Sequence, residues 1–408
     1  MIVDRKIRLN IENPQFQNIL NKLNEKIGIE ELWVLIDPSL ENFEKIKKLK
    51  FNYKNFEEYG TNDLIKILEN EKPDLILIGN DYDFFIRSFI VAAKFKKIPI
   101  VLLLSVPTSR DYLDKMDFSM IKGKIKTHSN RIDNIIKKII FMLSTYKKTG
   151  KNIFSLIKIF VNEINTIFSH YQPWGEYDCD LVLVTSTQWK EHLTKKKVSS
   201  KIVVVGYPTM DDVFLKISEI KRNNKKNKSE MEFLLLTTPM VEHGLWTEKE
   251  WKQTIEKTIL EINDKFPSSK ITVKIHPISE SLEKYSELLK KFGSKIKIFQ
   301  REDLIEIISN SDVVITYGQS SSILQASLLE KPIIVINLFN YPLEKMPFLK
   351  EKIGIELKNI DELKEIISNI DKKHIQNNVK NYISKHLYKF DGNVSERASN
   401  AIIEIIKK

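Results

Sequence analysis

Polar side chains that could handle a phosphate or a proton stand where apolar runs of this sequence end. His276 ends the run KITVKIH, and Pro277 follows it. A histidine at a strand end can donate a hydrogen bond to a phosphate oxygen or exchange a proton near neutral pH. Pro277 would fix the direction in which the chain leaves the strand. A lone strand-end histidine is more often a local hydrogen-bonding residue, so both interpretations of His276 stay open at this point.

A serine-rich stretch, ITYGQSSSILQA over residues 315–326, is a second candidate for binding a phosphate. Gly318 gives the backbone the freedom for a tight turn, and Ser320, Ser321 and Ser322 open a predicted helix. Free N–H groups at a helix start suit an anion, and the serine hydroxyls add donors. The serines could equally be helix caps. The Gly-Lys-Ser/Thr ending of a Walker loop is absent from this stretch.

Carboxylates and an imidazole that could take a proton follow two other runs. Asp81 and Asp83 come after DLILIG, and Glu242 and His243 come after EFLLLTT. Such groups can deprotonate an attacking hydroxyl. The aspartates could instead cap the helix that begins near Phe84. An isolated Asp-x-Asp is common by chance, so we predict no metal site and no bound cofactor.

Short apolar runs predict the strands that position these candidates. They span residues 32–37, 74–79, 98–104, 180–186, 201–206, 232–238, 270–276, 295–300, 312–316 and 331–337. Continuous apolar runs are typical of strands buried on both faces, and amphipathic stretches between them predict helices, one of them with a capping box of Thr247 and Glu250. This alternation predicts parallel α/β sheets, whose ligands lie at the carboxyl ends of the strands. Thr238, His276 and residues 320–322 would therefore share one edge.

The chain of 408 residues is long enough for two domains. The charged, Asn-rich stretch 218–230 breaks the alternation and predicts a linker. We therefore expect a first domain over 1–217, a second over 231–385, and a final helix within 386–408. A basic helical insertion over about 108–172 interrupts the pattern of the first domain.

Within that insertion, residues 122–160 carry ten basic side chains against one acid, Asp133. Apolar clusters such as IIKKIIFML and IFSLIKIF interleave with the lysines. A basic amphipathic helix of this kind could lie on an anionic membrane surface. The plainer alternative is a helical hairpin whose lysines face solvent.

The composition of the whole chain bounds its compartment and partners. A net charge of +11 favours anionic partners. No nucleic-acid-binding signature or interleaved aromatic platform is present, so we expect no nucleic acid partner. A single cysteine, Cys179, excludes an intrachain disulfide and favours a reducing compartment. With no signal peptide and no long apolar run, we expect a cytoplasmic protein, and we leave peripheral attachment to the inner face of the membrane open.

Several of these stretches, taken in order, resemble the GT-B-fold glycosyltransferases. KIHP, DLIEIISNSDVVIT before the serines, and KPIIVIN are similar to the C-terminal domain of these enzymes. Residues 72–103 and 180–214 resemble their N-terminal domain, and FDGNVSERASNAI resembles the final helix that crosses back to that domain. The resemblance covers most of the chain outside about 105–175. It implies an α/β protein of two Rossmann-like parallel-sheet domains that face each other across a cleft.

Within that superfamily, the sequence looks most like CDP-glycerol glycerophosphotransferases and the sialyltransferases with His-Pro and Ser-Ser motifs, and is more distantly similar to UDP-N-acetylglucosamine 2-epimerases. In the transferases, the histidine and the serine pair bind the phosphates of the nucleotide donor. That role falls here on His276, Ser320 and Ser321, with Ser322 as a helper. Gln325 stands where many such enzymes hold the donor ribose with an acid, and its carbonyl oxygen can still accept from a hydroxyl. The other expected donor-site residues are Thr238, Pro277 and Gly318.

The resemblance implies a transferase that moves a sugar or sugar-like unit from a nucleotide-activated donor to a surface-glycan or lipid-linked acceptor. Asp81, Asp83, Glu242 or His243 would be its base. An epimerase or hydrolase of the UDP-N-acetylglucosamine 2-epimerase type is the alternative. We rank it lower because the chain lacks that group's Gly-Thr-Arg-Pro-Glu stretch and its Gly-Asp-Thr, with GNDYD standing in the latter place at 79–83. A non-catalytic basic binding module is the second alternative.

Overall fold

The described residues form two α/β units. The computed structural model describes residues 1–4, 14–35, 52–81, 83–105, 129–168, 174–223, 230–242, 244–317, 320, 322–338, 347–369 and 372–407. Of these, the first unit holds residues 1–105, 129–211 and 385–407, and the second holds 212–384.

Each unit is built on one parallel sheet. The strands are β1 Ile2–Asp4, β2 Trp33–Leu35, β3 Tyr53–Asn55, β4 Ile76–Ile78, β5 Ile100–Leu104, β6 Leu181–Val184, β7 Lys201–Val204, β8 Glu232–Leu236, β9 Lys270–Lys274, β10 Ile296–Phe299, β11 Val313–Tyr317, β12 Ile333–Ile336 and β13 Ile355–Leu357. The first sheet has the order β3-β2-β1-β4-β5-β6-β7, and the second has the order β10-β9-β8-β11-β12-β13. All the pairings among them are parallel.

Helices connect these strands. The α-helices are α1 Pro14–Ile27, α2 Leu64–Glu71, α3 Phe84–Phe95, α4 Ser129–Lys148, α5 Ile153–Phe168, α6 Thr187–Lys195, α7 Met210–Asn223, α8 Glu248–Lys265, α9 Leu282–Leu289, α10 Leu304–Asn310, α11 Ser322–Leu328, α12 Pro347–Lys350, α13 Leu363–Ser368, α14 Lys372–Tyr382 and α15 Val394–Ile406. Short 3₁₀ segments span Phe56–Tyr59, Lys290–Lys295 and Ile360–Glu362, and a π-helical turn spans Ile383–Leu387.

Every predicted apolar run contains a strand, because each run supplies residues that both faces of a sheet can bury. β4, β5 and β6 are buried along their whole length, as expected for strands covered by helices on both sides. The predicted capping box is confirmed at the start of α8, where Thr247 and Glu250 exchange both hydrogen bonds. Three short strands, β1, β3 and β13, were not predicted from the apolar runs.

The chain returns to the first unit at its C-terminal end. α15 packs beside α1 in a core that includes Phe16 and Ile402. The Asp211 carboxylate accepts hydrogen bonds from the backbone N–H groups of Val394 at 2.9 Å and Ser395 at 2.7 Å, and so caps α15.

The predicted linker requires a correction. Its first six residues, 218–223, form the end of α7, and residues 224–229 lie outside the described residues. The units divide at Asp211 rather than at residue 217. α7 continues past the predicted boundary because Ile217 and Ile220, three residues apart, keep a helical spacing of apolar side chains into the charged stretch.

The basic insertion of the first unit is helical where it is described. It contains α4 and α5, whereas residues 108–128 and 169–172 lie outside the described residues. α4 packs against α3, and α5 packs against α4. No helix in the described part of the chain is long and apolar enough to cross a membrane.

Candidate functional site

Three predicted strand ends lie side by side at one edge of the second sheet. β8 lies between β9 and β11, so His276 and Ser320 follow strands that flank the same neighbour. Two strand spacings separate β9 from β11, which is about 10 Å. The expected donor-site residues after β8, β9 and β11 therefore belong to adjacent strand ends of one unit.

The imidazole of His276 is held by the turn that follows it. Its Nδ1 accepts hydrogen bonds from the backbone N–H groups of Ile278 at 3.3 Å and Ser279 at 3.1 Å. A ring nitrogen that accepts carries no proton, so the neutral ring carries its proton on Nε2. The side chain is half-buried, and Pro277 is exposed. His276 therefore makes the local hydrogen bonds of the plainer interpretation, and phosphate binding by His276 stays a prediction.

A buried carboxylate, Glu280, anchors this turn. Its Oε2 accepts from the backbone N–H of His276 at 2.6 Å and from the hydroxyl of Thr237. Its Oε1 accepts from the hydroxyl of Tyr285 at 2.7 Å, and that hydroxyl accepts in turn from Nε1 of Trp251 at 2.8 Å. Charge-assisted bonds of this kind are stronger than neutral ones. Glu280 thus ties the end of β8 to the histidine turn.

Ser281 caps the next helix, whereas the neighbouring Glu280 does not. The Ser281 hydroxyl accepts from the backbone N–H of Lys284 at 3.3 Å at the start of α9. Glu280 is only 6% exposed and points its carboxylate to other partners. Burial and its adjacent carboxylate raise the pKa of Tyr285 far above the ordinary tyrosine value, so this hydroxyl stays protonated and donates.

A buried lysine, which the sequence analysis missed, joins the loops after β9 and β10. Nζ of Lys274 donates to the carbonyl oxygen of Gln300 at 2.5 Å. The Gln300 amide donates in turn to the carbonyl oxygen of Glu280 at 2.9 Å. Burial lowers the pKa of Lys274, and nearby Glu302 and Asp303 oppose that shift. The available signal was a lysine inside the apolar run KITVKIH.

The serine turn is closed by its own hydroxyls. Oγ of Ser320 lies 2.5 Å from Oγ of Ser322 and accepts from the backbone N–H of Ser322 at 3.3 Å. Ser320 is half-buried, and Ser322 is 8% exposed. Gly318 and Ser321 lie outside the described residues. The capping interpretation is therefore present in the structure, and phosphate binding by these serines stays a prediction.

Buried oxygen atoms near this edge lack a hydrogen-bond partner among the described residues. They are Oγ1 of Thr238, Oγ1 of Thr316 and Oε1 of Gln325. Thr316 pairs in register with Leu236 at the end of β8, and Gln325 lies on the helix that follows β11. An unsatisfied buried polar atom costs about 1–3 kcal/mol, so a polar ligand that reached these atoms would recover part of that cost.

The first unit places Asp81 in its interior, which corrects the expectation of a catalytic base. The side chain is fully buried. Its Oδ1 accepts from the backbone N–H of Gly175 at 2.9 Å, and its Oδ2 accepts from that of Tyr177 at 3.1 Å. Burial raises the pKa of Asp81 to about 6. Because both oxygens hold the chain at 174–177 and the side chain is fully buried, Asp81 braces this loop rather than facing a substrate.

Asp83 has the capping role that was its alternative. Its carboxylate accepts from the backbone N–H of Phe85 at 2.9 Å at the start of α3, and lies 3.6 Å from Nζ of Lys138 on α4. Glu242 is exposed on the loop after β8, and His243 lies outside the described residues. Of the three candidate bases that the structure describes, Glu242 is thus the one whose side chain is exposed.

A family sequence model matches the part of the chain that contains the candidate donor site. The sequence model of the family described as UDP-N-acetylglucosamine 2-epimerase matches residues 178–407, which is more than half of the 408 residues. The matched range includes the whole of the described second unit, and with it His276 and Ser320. No curated protein matches the sequence.

Solved structures of low sequence identity share the fold. MnaA of S. aureus in complex with UDP has 16% identity and a TM-score of 0.55, over 100% of this chain and 96% of that one. UDP-GlcNAc 2-epimerase from Neisseria meningitidis, bound to UDP-GlcNAc, has 14% identity and a TM-score of 0.57, over 99% and 98%. The calicheamicin glycosyltransferase CalG4 has 10% identity and a TM-score of 0.56, over 100% and 98%. These similarities confirm the predicted α/β fold with two Rossmann-like parallel-sheet domains of the GT-B type.

The family match also corrects the order of the functional hypotheses. From the sequence alone, the epimerase hypothesis ranks below the transferase hypothesis, because two short epimerase motifs are absent from the N-terminal half. The match begins at residue 178, so it rests on the part of the chain that those motifs do not cover. The comparisons support the epimerase alternative better than the transferase hypothesis.

Proposed function

The chain belongs to the UDP-N-acetylglucosamine 2-epimerase family, and from that premise we propose that it is an enzyme that converts a UDP-linked sugar without needing an acceptor. The observation that carries this proposal is the family match over residues 178–407, because that range contains the described donor-site residues. Epimerisation at carbon 2 of the sugar is the reaction that family membership favours, and hydrolysis of the UDP-linked sugar is its nearest variant.

The proposed donor site lies at the carboxyl edge of the second sheet. His276 supports it because Nδ1 accepts from the backbone, so the neutral ring carries its proton on Nε2, and an imidazole N–H is a donor that suits a phosphate oxygen. The Ser320 hydroxyl is the proposed second donor to the phosphates. Gln325 and Thr316 carry buried oxygen atoms without a partner among the described residues, and they could accept hydrogen bonds from hydroxyl or N–H groups of the nucleotide.

The proposed reaction needs hydrogen-bond donors beside the diphosphate, because this leaving group gains negative charge. Inversion at carbon 2 requires that the C–H bond there break and that a proton return to the opposite face. When a base removes the proton from carbon 2 as UDP leaves carbon 1, the C–H electron pair forms a C1=C2 double bond and the pair of the broken C1–O bond stays on a diphosphate oxygen, whose charge donors such as His276 and Ser320 would stabilise. Epimerisation is completed when the diphosphate oxygen bonds carbon 1 again as a proton adds to the opposite face of carbon 2, and hydrolysis when water adds at carbon 1 instead. Glu242 is the exposed candidate for moving the proton.

The test is a proton and phosphorus NMR time course with UDP-N-acetylglucosamine and no acceptor. We expect either a second UDP-sugar anomeric signal or the joint appearance of UDP and free sugar. If the UDP-sugar stays unchanged until a glycan or lipid-linked acceptor is added, the protein is a transferase and the proposal fails.

Two substitutions of His276 separate its roles in this assay. His276→Asn keeps an acceptor near the position of Nδ1 and removes the Nε2 donor. His276→Gln places an amide near Nε2 but removes the acceptor for the turn. We expect His276→Asn to fold like the wild type and lose at least tenfold in kcat/KM, a loss of about 1.4 kcal/mol in transition-state binding. Normal activity in His276→Asn would remove His276 from the donor site.

A further inference from the structure

Helix α5 exposes its apolar side rather than burying it. The exposed fractions are 62% for Ile153, 79% for Phe154, 54% for Ile157, 42% for Phe160 and 49% for Val161. At about 100° per residue, these five side chains fall within about 120° of the helix circumference. We call this set the apolar face of α5. A helix on the surface of a water-soluble protein normally turns such an apolar stripe toward the protein core. Because these side chains face outward instead, this face is suited to contact with another apolar surface.

Lysines border the apolar face. Lys147, Lys148 and Lys151 lie at the turn between α4 and α5, and Lys158 lies on α5 itself, all of them exposed. No acidic residue occurs from 147 to 161. Lys148 pairs with the carboxylate of Asp63 at 2.8 Å, which offsets part of its charge. A stripe of large apolar side chains with a one-sign basic border is the pattern of helices that lie in a membrane interface.

We propose that the apolar face of α5 docks on the surface of a membrane that contains anionic lipids, with the helix lying in the plane of the interface. The phenylalanine and isoleucine side chains enter the boundary between headgroups and acyl chains, and the bordering lysines contact anionic headgroups. This inference goes beyond the proposed activity and does not depend on it.

Charge favours a membrane over a second copy of the chain as the occupant. In a two-fold symmetric dimer through this face, each copy would present the same patch to the other. The bordering lysines of both copies would then be brought into one interface, with no acid from 147 to 161 to offset them. Like charges brought together in this way oppose association, whereas an anionic lipid surface attracts them.

The first test measures binding of the full chain to lipid vesicles by co-sedimentation. Vesicles of phosphatidylcholine with about 30% phosphatidylglycerol are compared with pure phosphatidylcholine. The test variant Phe154→Gln/Ile157→Gln changes two exposed residues, so its fold should be intact, which circular dichroism checks. The matched control Leu215→Gln/Leu260→Gln changes two side chains that are 62% and 55% exposed elsewhere. We expect at least a tenfold loss of partitioning in the test variant only.

A second pair of variants tests the charge. Lys151→Gln/Lys158→Gln and Lys252→Gln/Lys257→Gln each remove two positive charges from exposed positions, but only the first pair borders the apolar face. We expect the first pair to lose about tenfold in binding to the anionic vesicles and the second pair to bind nearly as the wild type does.

Three results would overturn the proposal. They are the absence of wild-type binding to anionic vesicles, equal losses in test and control variants, and a dimer in sedimentation velocity that Phe154→Gln/Ile157→Gln abolishes while vesicle binding stays normal. The last result would assign the face to a second copy of the chain. None of these results bears on the conversion of UDP-N-acetylglucosamine, so failure here is distinguishable from failure of the proposed function.

Discussion

The buried carboxyl of Asp81 should make the stability of the first unit depend on pH in a direction opposite to that of most carboxylates. Substitution by asparagine removes the ionisable group and keeps one oxygen acceptor for the backbone at 174–177. The asparagine amide would face the second backbone N–H without accepting from it, so Asp81→Asn also loses part of the loop bracing at every pH. The informative quantity is therefore how the difference between wild type and variant changes with pH.

The magnitude follows from the pKa of Asp81, which burial raises from 3.8 to about 6 in the folded protein. A group whose pKa is higher in the folded state stabilises that state below the unfolded pKa and loses this contribution as the pH rises through the folded pKa. The difference between these two pKa values corresponds to about 3 kcal/mol in total. Of this, roughly 2 kcal/mol should be lost between pH 4.5 and pH 7.

The assay is urea-induced unfolding at pH 4.5, 5.5 and 7, followed by tryptophan fluorescence. Trp174 and Trp189 stack near the loop that Asp81 holds, with ring centroids 6.5 Å apart, and they report on this unit. Relative to wild type, Asp81→Asn should gain roughly 2 kcal/mol in unfolding free energy from pH 4.5 to pH 7.

A neighbouring carboxyl provides a control of opposite sign. Asp178 pairs with Lys94 and Ser199, and these partners lower its pKa. Its contribution is present above the unfolded pKa and is lost as the pH falls through the folded pKa. Asp178→Asn should therefore lose stability relative to wild type as the pH rises up to and through the ordinary aspartate pKa of about 3.8, and between pH 4.5 and pH 7 the two profiles should stay nearly parallel. Parallel pH profiles for wild type and Asp81→Asn would refute the account of Asp81.

Four further substitutions test contacts within each unit by urea unfolding. Glu280→Ala should lower the unfolding free energy by about 3 kcal/mol, because it leaves several buried donors without an acceptor, and Tyr285→Phe should lower it by only about 1 kcal/mol; equal effects would contradict the network. Asp211→Ala should cost about 1–2 kcal/mol through loss of the cap of α15, with faster hydrogen exchange at the start of that helix; unchanged exchange there would count against the cap. Gly175→Ala should cost more than about 1 kcal/mol, because φ is +76° and the added Cβ would lie 3.1 Å from Leu193; a stability equal to wild type would show that the loop relaxes freely.

The strands were predictable where both faces of a run are buried, because their sequences must then be apolar throughout. β1, β3 and β13 have only three residues each. β3 lies at the edge of the first sheet. Its residues Tyr53 and Asn55 carry polar groups, so the segment has little of the apolar pattern that predicts a strand. The final helix and the capping box were predictable because their signals are local in sequence.

The candidate site was predictable in outline but not in its supporting contacts. His276 and Ser320 stand out because histidine and serine follow apolar runs. The role of Glu280 depends on Thr237, 43 residues away in the sequence, and no local pattern shows such a pair. The prediction of Asp81 as a catalytic base was wrong, because the sequence of an aspartate after a strand is the same whether its side chain faces a substrate or braces a loop. Its partners at 174–177 lie 94 and 96 residues away.

The central claim is that the carboxyl edge of the second sheet binds the UDP portion of a nucleotide sugar. Isothermal titration of UDP, CDP and GDP into the wild type, His276→Asn and Ser320→Ala tests it most directly. We predict that UDP binds more tightly than CDP and GDP, and that each substitution weakens UDP binding by about tenfold, or about 1.4 kcal/mol. Absence of UDP binding to a folded wild type, or UDP binding that neither substitution changes, would contradict the claim.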